Sequence, residues 1–206
     1  MTVLSVLPKS ASHILVRLSD GTEILSTLNT LADLRISEGV ELNDTLLEEL
    51  RSVSERDLGF EKASEIALRR LISRKELRTK LLQKGISEEN CDFCINKLLR
   101  FGILNDEVYA EAIVRHYASK GYGQAKIKTE LLKRGISRDL WEDAFRSMPE
   151  NDDKIEQYLR THLSDPGDRS QVQKVSGALY RRGFSWDEIH TALRRFEAAE
   201  EDYSWT

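Results

Sequence analysis

The chain has 206 residues, of which 40% are hydrophobic and 32% charged, so it can bury a sizeable core in one to three small domains. Its three prolines favour regular structure, no apolar run approaches the roughly 20 residues that span a bilayer, and two cysteines without an export signal predict a reducing cytoplasm. The net charge of −4 excludes a protein that binds nucleic acid over its whole surface.

Residues 1–56 are predicted to form an N-terminal α+β extension. Its hairpin is indicated by Asp20-Gly21, a dipeptide that suits a tight turn, between two hydrophobic stretches. The predicted strands are residues 3–7, 13–18 and 23–26. The predicted short helices are residues 30–35 and 45–53, and Asn43-Asp44 is expected to start the second.

From about residue 57 the chain is predicted to be helical, and one phrase recurs in it. The phrase reads LLQKGIS at 81–87, LLKRGIS at 131–137 and LYRRGFS at 179–185. The copies are 50 and 48 residues apart, and a fixed period of that size is typical of a repeat architecture.

Each phrase has the chemistry of a helix-turn-helix joint. Its glycine suits the left-handed conformation that ends a helix, and the basic residues before it favour the negative end of the helix dipole. Its serine suits the N-cap of the next helix. The glycines are Gly85, Gly135 and Gly183, and the serines are Ser87, Ser137 and Ser185. Apolar positions before and after the joint keep the same spacing, as in Leu77, Ile127 and Val175.

The sequence therefore predicts a mainly α protein with tandem three-helix repeats in an elongated, curved array, preceded by a small N-terminal β-hairpin region. The repeats are predicted at residues 57–104, 105–150 and 151–206. Their helices are predicted at 57–72, 73–84 and 87–101, at 105–119, 124–134 and 137–148, and at 170–182 and 185–199 after a first helix near 151. Ser73 and Glu76 fit a capping box. We expect a monomer.

Cys91-Asp-Phe-Cys94 is the motif of the chain that has a known chemistry, because CxxC can bind metal or exchange electrons. The other repeats fill these two columns with Trp, Ile and Ala, and there is no second pair, so we interpret both cysteines as packing residues. The four histidines lack ligand spacing, and no phosphate-binding, HExxH or GxSxG motif occurs. The sequence thus predicts no catalytic residue, no metal site and no cofactor.

The charge is unevenly distributed. Residues 1–60 hold 5 Lys or Arg against 10 Asp or Glu, residues 61–150 hold 18 against 14, and residues 151–206 hold 8 against 11. Two basic stretches dominate, and each covers the helix before a joint. The candidate binding residues in them are Arg69, Arg70, Arg74, Lys75, Arg78 and Lys84 in repeat 1, and Lys120, Lys126, Lys128, Lys133 and Arg134 in repeat 2.

These basic stretches fit either ordinary solvated helix surface or a surface for an anionic partner. Their density favours an anionic partner, which is a nucleic-acid backbone or an acidic protein surface. A helix-turn-helix joint also suggests base reading through a recognition helix. Acids at the start of the following helices, in Ser87-Glu-Glu-Asn90 and Ser185-Trp-Asp-Glu188, argue against base reading.

A series of short motifs keeps a characteristic order over residues 60–196. They are Ser73, Glu76-Leu77, Lys80-Leu81, Lys84-Gly85, Gly102-Ile-Leu-Asn-Asp106, Tyr109-Ala110, Gly121, Gly123, Ile127, Glu130-Leu131 and Arg134-Gly-Ile136. In this order the chain resembles the RecX family of recombination regulators. The resemblance implies a cytoplasmic protein that lies in the groove of the RecA filament on DNA and damps its ATPase and strand exchange in recombination and DNA repair.

The resemblance also implies that contacts with the DNA backbone are secondary to those with RecA, and that no membrane is involved. A free-standing helix-turn-helix DNA-binding protein is the alternative. The two interpretations differ in whether tight binding needs RecA on the DNA.

Overall fold

A computed structural model describes residues 1–146, 148 and 152–203, and the chain divides into two compact units between Asn105 and Asp106. The structure is mainly helical with one small antiparallel sheet, as the sequence predicts. Among the described residues, no helix combines the length and the apolar character that crossing a membrane requires.

The sheet contains three strands in the order β1-β2-β3. They are β1 (Val3–Pro8), β2 (His13–Leu18) and β3 (Glu23–Thr27). Gly21 makes the predicted turn between β2 and β3 with a φ of +86°, which a residue with a side chain rarely adopts. Val16 and Leu18 of β2 are fully buried in the core of this region.

Helix α1 (Leu28–Asp33) follows the sheet, and α2 is a single helix of 26 residues, Asp44–Arg69. The predicted break between residues 53 and 57 is therefore wrong. Polar side chains of this segment form hydrogen bonds with other elements of the fold. Ser54 Oγ donates to Ser26 Oγ at 2.8 Å, and Asp57 Oδ2 accepts from Thr30 Oγ1 at 2.8 Å. They attach α2 to the sheet and to α1 and do not interrupt it. Helix α2 crosses the predicted boundary between residues 56 and 57.

Repeat 1 is formed by the second half of α2 with α3 (Arg74–Gln83) and α4 (Glu88–Arg100). Ser73 and Glu76 form the predicted capping box at the start of α3. Leu77 and Leu81 of α3 are fully buried against the apolar side of α4.

Repeat 2 contains α5 (Asp106–Ser119), α6 (Gln124–Lys133) and α7 (Trp141–Arg146). The prediction of one α-helix from residue 137 is wrong, because residues 138–140 form a 3₁₀ turn before α7. Ser137 makes no capping bond with its side chain, and the N–H of Leu140 donates instead to the Ser137 carbonyl at 3.2 Å. The predicted end of this helix is residue 148. The described part of α7 ends at Arg146, and residue 147 is outside the described residues.

Repeat 3 contains α8 (Asp152–His162), α9 (Arg169–Arg181) and α10 (Trp186–Tyr203). Asp168 caps α9 by accepting the N–H groups of Ser170 and Gln171. The core of this repeat collects the buried sides of all three helices, among them Ile155, Leu179 and Ile189.

The three joints have the same backbone structure at the glycine, which confirms the predicted helix ends; the predicted serine cap is absent at Ser137. Gly85, Gly135 and Gly183 have φ values of +81°, +72° and +93°. In each joint the N–H after the glycine donates to the carbonyl of the buried leucine five residues earlier, as in Ile136 to Leu131 at 3.0 Å. This is the Schellman arrangement, and it satisfies carbonyls that a helix end leaves free.

Candidate interaction surface

The helices that precede the joints bury one side and expose the other. In α3 the buried residues are Leu77 and Leu81, and Lys75 is exposed. In α6 the buried apolar residues are Ile127 and Leu131, whereas Lys128 and Lys133 are exposed. The period of 3.6 residues per turn thus places the candidate cations of these helices on or beside their solvent side.

Two candidates in repeat 1 form ion pairs within the repeat. Arg78 reaches across to α4, where its guanidinium bonds to Asp92 and lies 3.4 Å from Glu88. The hydrogen bond with Asp92 raises the pKa of Arg78. Arg69 pairs with Glu65 one turn earlier at 2.5 Å. Glu65 also binds Lys62 at 3.1 Å. Neighbouring carboxylates therefore offset part of the positive charge of these two arginines.

Two candidates in repeat 2 share one carboxylate. Glu130 lies 2.6 Å from Arg134 and 3.5 Å from Lys126, and it accepts a hydrogen bond from the Tyr117 hydroxyl at 3.0 Å. The bond from Arg134 lowers the pKa of Glu130 despite its burial. Burial disfavours the charged form of Arg134, but its bonds to Glu130 and Tyr109 outweigh this and raise its pKa. We call Glu130 with Lys126, Arg134 and Tyr117 the Glu130 cluster.

The other candidates include six exposed side chains that form no ion pair within 4 Å with any residue in the described part of the chain. These exposed cations are Arg70, Lys75 and Lys84 in repeat 1, and Lys120, Lys128 and Lys133 in repeat 2. Arg74 is also exposed, at the first position of α3. The structure thus separates cations held by carboxylates, such as Arg78 and Arg134, from cations that face solvent, such as Lys128 and Lys133.

Cys91 and Cys94 are free thiols buried in the core of repeat 1, at the packing positions predicted for them. Burial raises the pKa of the Cys91 thiol, and it raises that of Cys94 to about 11. Both thiols are therefore protonated at neutral pH. Within the described ranges, no group of three or more His, Cys, Asp or Glu side chains has an arrangement that could hold a metal ion.

Repeats 2 and 3 are joined by direct backbone contact. The N–H groups of Gly123 and Ala125, at the start of α6, donate to the carbonyls of Arg182 and Gly183 at 2.9 and 3.1 Å. Gly123 has no side chain with which to cap α6, so carbonyls from the end of α9 replace the cap. The positive end of α6 thus meets the negative end of α9, which is electrostatically favourable.

Ala125 and Gly183, which form one of these hydrogen bonds, line a cleft of about 640 Å³. One wall is the first part of α6, with Lys126, Lys128 and Thr129. The opposite wall is the joint of repeat 3, with Tyr180 and Arg181. The cleft therefore brings cations of repeat 2 to the same place as a basic and an aromatic residue of repeat 3.

Sequence reasoning missed the aromatic residues of repeat 3. The Tyr180 and Trp186 rings are stacked, with centroids 5.1 Å apart and planes at 18°, and they are 54% and 49% exposed. Behind the joint, the Arg182 guanidinium lies 4.7 Å from the Tyr158 ring centroid and 5.9 Å from that of Tyr122. The available signal was the phrase and the residue after it. Within the phrase Tyr180 replaces the Leu132 of repeat 2, and directly after it Trp186 replaces Arg138.

Comparisons with known proteins agree with this architecture. The sequence profile of the RecX second three-helix domain matches residues 105–144, and that of the RecX third three-helix domain matches residues 156–193. A regulatory protein RecX from Stenotrophomonas maltophilia is 33% identical over 138 residues, which cover 65% of this chain and 84% of the relative. One from Caldanaerobacter subterraneus is 28% identical over 160 residues, covering 78% and 81%.

The fold is also similar to that of a crystal structure described as regulatory protein RecX. The TM-score is 0.72 at 19% sequence identity, and the match covers 93% of this chain and 98% of the other. The crystal structure of RecX from Lactobacillus salivarius gives a TM-score of 0.63 at 28% identity, covering 70% and 97%.

Proposed function

This chain belongs to the RecX family of regulatory proteins, and from that premise we propose that it binds the RecA recombinase filament on DNA and inhibits its ATPase and strand exchange. In this proposal RecA supplies most of the contact, and the DNA backbone supplies the rest. The protein acts as a monomer in the cytoplasm, without a cofactor or a reaction of its own.

The observation that carries the proposal is the group of exposed cations on the helices that precede the joints. A chain with a net charge of −4 nevertheless presents Lys128 and Lys133 outside the ion pairs of repeat 2. Lysines that lack a carboxylate partner attract an anionic surface, and their attraction weakens as salt screens it. Both a phosphate backbone and an acidic protein surface meet this requirement.

Base reading by a helix-turn-helix is supported less well. A recognition helix presents its first residues to the major groove. Helix α4 begins with Glu88 and Glu89, and Glu88 lies against Arg78. Helix α10 begins with Trp186, Asp187 and Glu188. Carboxylates at these positions repel phosphates on both sides of a groove.

The test compares two double variants with the same change in charge. Lys128→Glu with Lys133→Glu reverses exposed cations of α6. Lys154→Glu with Arg160→Glu is the control, since it reverses two exposed cations of α8, which lies outside the basic stretches. Binding to RecA-coated single-stranded DNA and inhibition of its ATPase are measured, after circular dichroism has established equal helix content.

We expect the α6 variant to bind the filament at least about tenfold more weakly and to inhibit the ATPase less, and the α8 variant to resemble the parent protein. Loss of phosphate contacts also lowers the salt dependence, by about 0.7 to 0.9 log units per log of salt for each contact. Equal binding by the parent protein and both variants would refute the proposed surface. Equally tight binding of the parent to bare DNA would favour the free-standing DNA-binding alternative.

A further inference from the structure

An exposed aromatic stack borders the cleft between repeats 2 and 3. Trp186 contacts Tyr180 through one ring face, and its ring makes an edge contact with His190 at 6.0 Å. Tyr180 in turn lines the cleft. Solvent-exposed stacked rings contribute little to a protein core, and repeats 1 and 2 have Leu82 and Leu132 where repeat 3 has Tyr180. The stack is thus a feature of repeat 3 that packing does not require.

Three cations line the cleft together with Tyr180. Arg181 and Lys128 are exposed. Lys126 is the third cation, and it forms an ion pair with Glu130 at 3.5 Å. The carboxylate in the cleft lining is Glu188, which accepts hydrogen bonds from the Ser185 N–H and hydroxyl, both at 2.7 Å. Its acceptor oxygen is therefore occupied by the cap of α10. The cleft combines an aromatic surface with an excess of positive charge.

We propose that this cleft binds single-stranded DNA, with a base stacked on Tyr180 as a continuation of the Tyr180–Trp186 stack and with adjacent phosphates near Lys128 and Arg181. The inference rests on the DNA contact in the proposed function and specifies the form of DNA. Aromatic side chains beside a basic groove are the usual means of binding single strands without sequence preference.

A single strand fits this chemistry better than a duplex does. The bases of a duplex are already stacked on their neighbours, and their faces become available only when a base is extruded, which costs energy. A single strand exposes base faces without that cost. Cations alone would serve both forms equally, so the aromatic stack is the feature that favours the single strand.

The test measures fluorescence anisotropy of a labelled oligo-dT and of a labelled duplex of equal length with the full chain. Tyr180→Ala with Trp186→Ala removes the stack, and Tyr180→Phe with Trp186→Phe keeps two rings. Phe101→Ala is the control for loss of an exposed aromatic ring, because Phe101 is 61% exposed and lies in repeat 1, where its ring contacts that of Phe60 at 6.3 Å. Unlabelled oligo-U serves as competitor, to separate DNA from RNA as the bound strand.

We expect the alanine pair to weaken oligo-dT binding roughly 5- to 150-fold, as for the loss of stacking with one base. Duplex binding and the salt dependence should change little, and the phenylalanine pair should retain most of the affinity. Lys128→Gln with Arg181→Gln should instead lower the salt dependence on both forms. The Phe101 control should bind both forms like the parent protein.

Several results would overturn the inference. One is a parent protein that fails to bind oligo-dT, and another is an alanine pair that binds it normally or loses duplex affinity equally. Tighter competition by oligo-U than by oligo-dT would assign the cleft to RNA. If the alanine pair binds oligo-dT normally but loses the RecA filament, the stack contacts protein. In that case the inference fails while the proposed function stands.

Discussion

A single methyl group at Gly123 should disrupt the contact between repeats 2 and 3. A Cβ on this residue would lie 2.3 Å from the carbonyl oxygen of Gly183 and 2.4 Å from its carbonyl carbon. These are backbone atoms held by the joint, so no side chain can move aside. The φ of Gly123 is −81°, which alanine adopts without strain. The cost of Gly123→Ala therefore comes from the contact alone.

The magnitude follows from what must move. Relief of the clash requires α6 to shift away from the joint of repeat 3, and overpacking of this kind typically costs about 1–3 kcal/mol. The shift also stretches the hydrogen bonds of Gly123 to Arg182 and of Ala125 to Gly183, each with a net contribution of about 0.5–1.5 kcal/mol. We expect Gly123→Ala to lower the free energy of unfolding by about 2–6 kcal/mol.

The assay is urea unfolding followed by far-ultraviolet circular dichroism, together with hydrogen exchange at the Ala125 amide. Gly59→Ala is the matched control in α2. A Cβ at Gly59 meets Ile86 at 3.5 Å and Cys94 at 3.7 Å, which are ordinary contacts. Alanine also has a higher helix propensity than glycine by up to about 1 kcal/mol. Gly59→Ala should therefore be neutral or stabilising.

Two results would refute this reasoning. If Gly123→Ala unfolds at the same urea concentration as the parent chain, the backbone contact is not formed in solution. If Gly59→Ala destabilises the protein as much as Gly123→Ala does, the loss reflects a general intolerance of substitution at glycine. Unchanged protection of the Ala125 amide would lead to the first conclusion independently.

Two further predictions concern polar groups. Glu130→Gln should destabilise the protein by about 1–3 kcal/mol at pH 7, because it removes the charge that holds Arg134. Since the folded-state pKa of Glu130 is lowered, its contribution is complete above the ordinary pKa of a glutamate, which the unfolded chain has, and is lost as pH falls through the folded-state pKa. An equal difference in urea midpoints at pH 7 and pH 3 would contradict this. Ser185→Ala should lower the free energy of unfolding by about 1 kcal/mol and Ser137→Ala should leave it nearly unchanged, because Ser185 caps a helix with its side chain and Ser137 does not. Equal melting temperatures of the two variants would contradict this prediction.

The features that could be predicted from the sequence are those that local chemistry determines. Gly85, Gly135 and Gly183 take positive φ because a helix end needs a residue without a Cβ, whatever packs around it. The strand from residue 13 to 18 follows from alternation and from the turn at Gly21. Such signals lie within a few residues of the structure that they determine.

The features that could not be predicted depend on which residues become neighbours in space. Helix α2 continues past residue 54 because Ser26 and Thr30 bind its polar side chains, and these partners are 28 and 27 residues away in the chain. Arg78 similarly finds Asp92 on another helix. A count of basic residues therefore identifies the stretch in which cations occur, but it does not distinguish neutralised cations from exposed ones.

The Glu130 cluster was partly visible in the sequence. Lys126, Glu130 and Arg134 are spaced by four residues, and this spacing brings charges together on one side of a helix. The contribution of Tyr117, from α5, was not visible because it depends on how α5 packs against α6. The cluster is thus a local pattern completed by a tertiary contact.

The joint in repeat 3 connects stability with the proposed binding of DNA. Gly183 follows α9, its carbonyl accepts the Ala125 N–H, and it lines the cleft, so the distance between Lys128 on α6 and Tyr180 on α9 depends on this contact. A strand that stacks a base on Tyr180 and places a phosphate near Lys128 needs that distance to be constant, because each angstrom of movement weakens one contact or the other. The absence of a side chain at Gly123 allows the two backbones to approach, and backbone hydrogen bonds then hold them at a fixed separation. On this view the two glycines belong to the proposed binding surface although they offer no group to the DNA, because the contact between their backbones sets how α6 and α9 lie relative to each other.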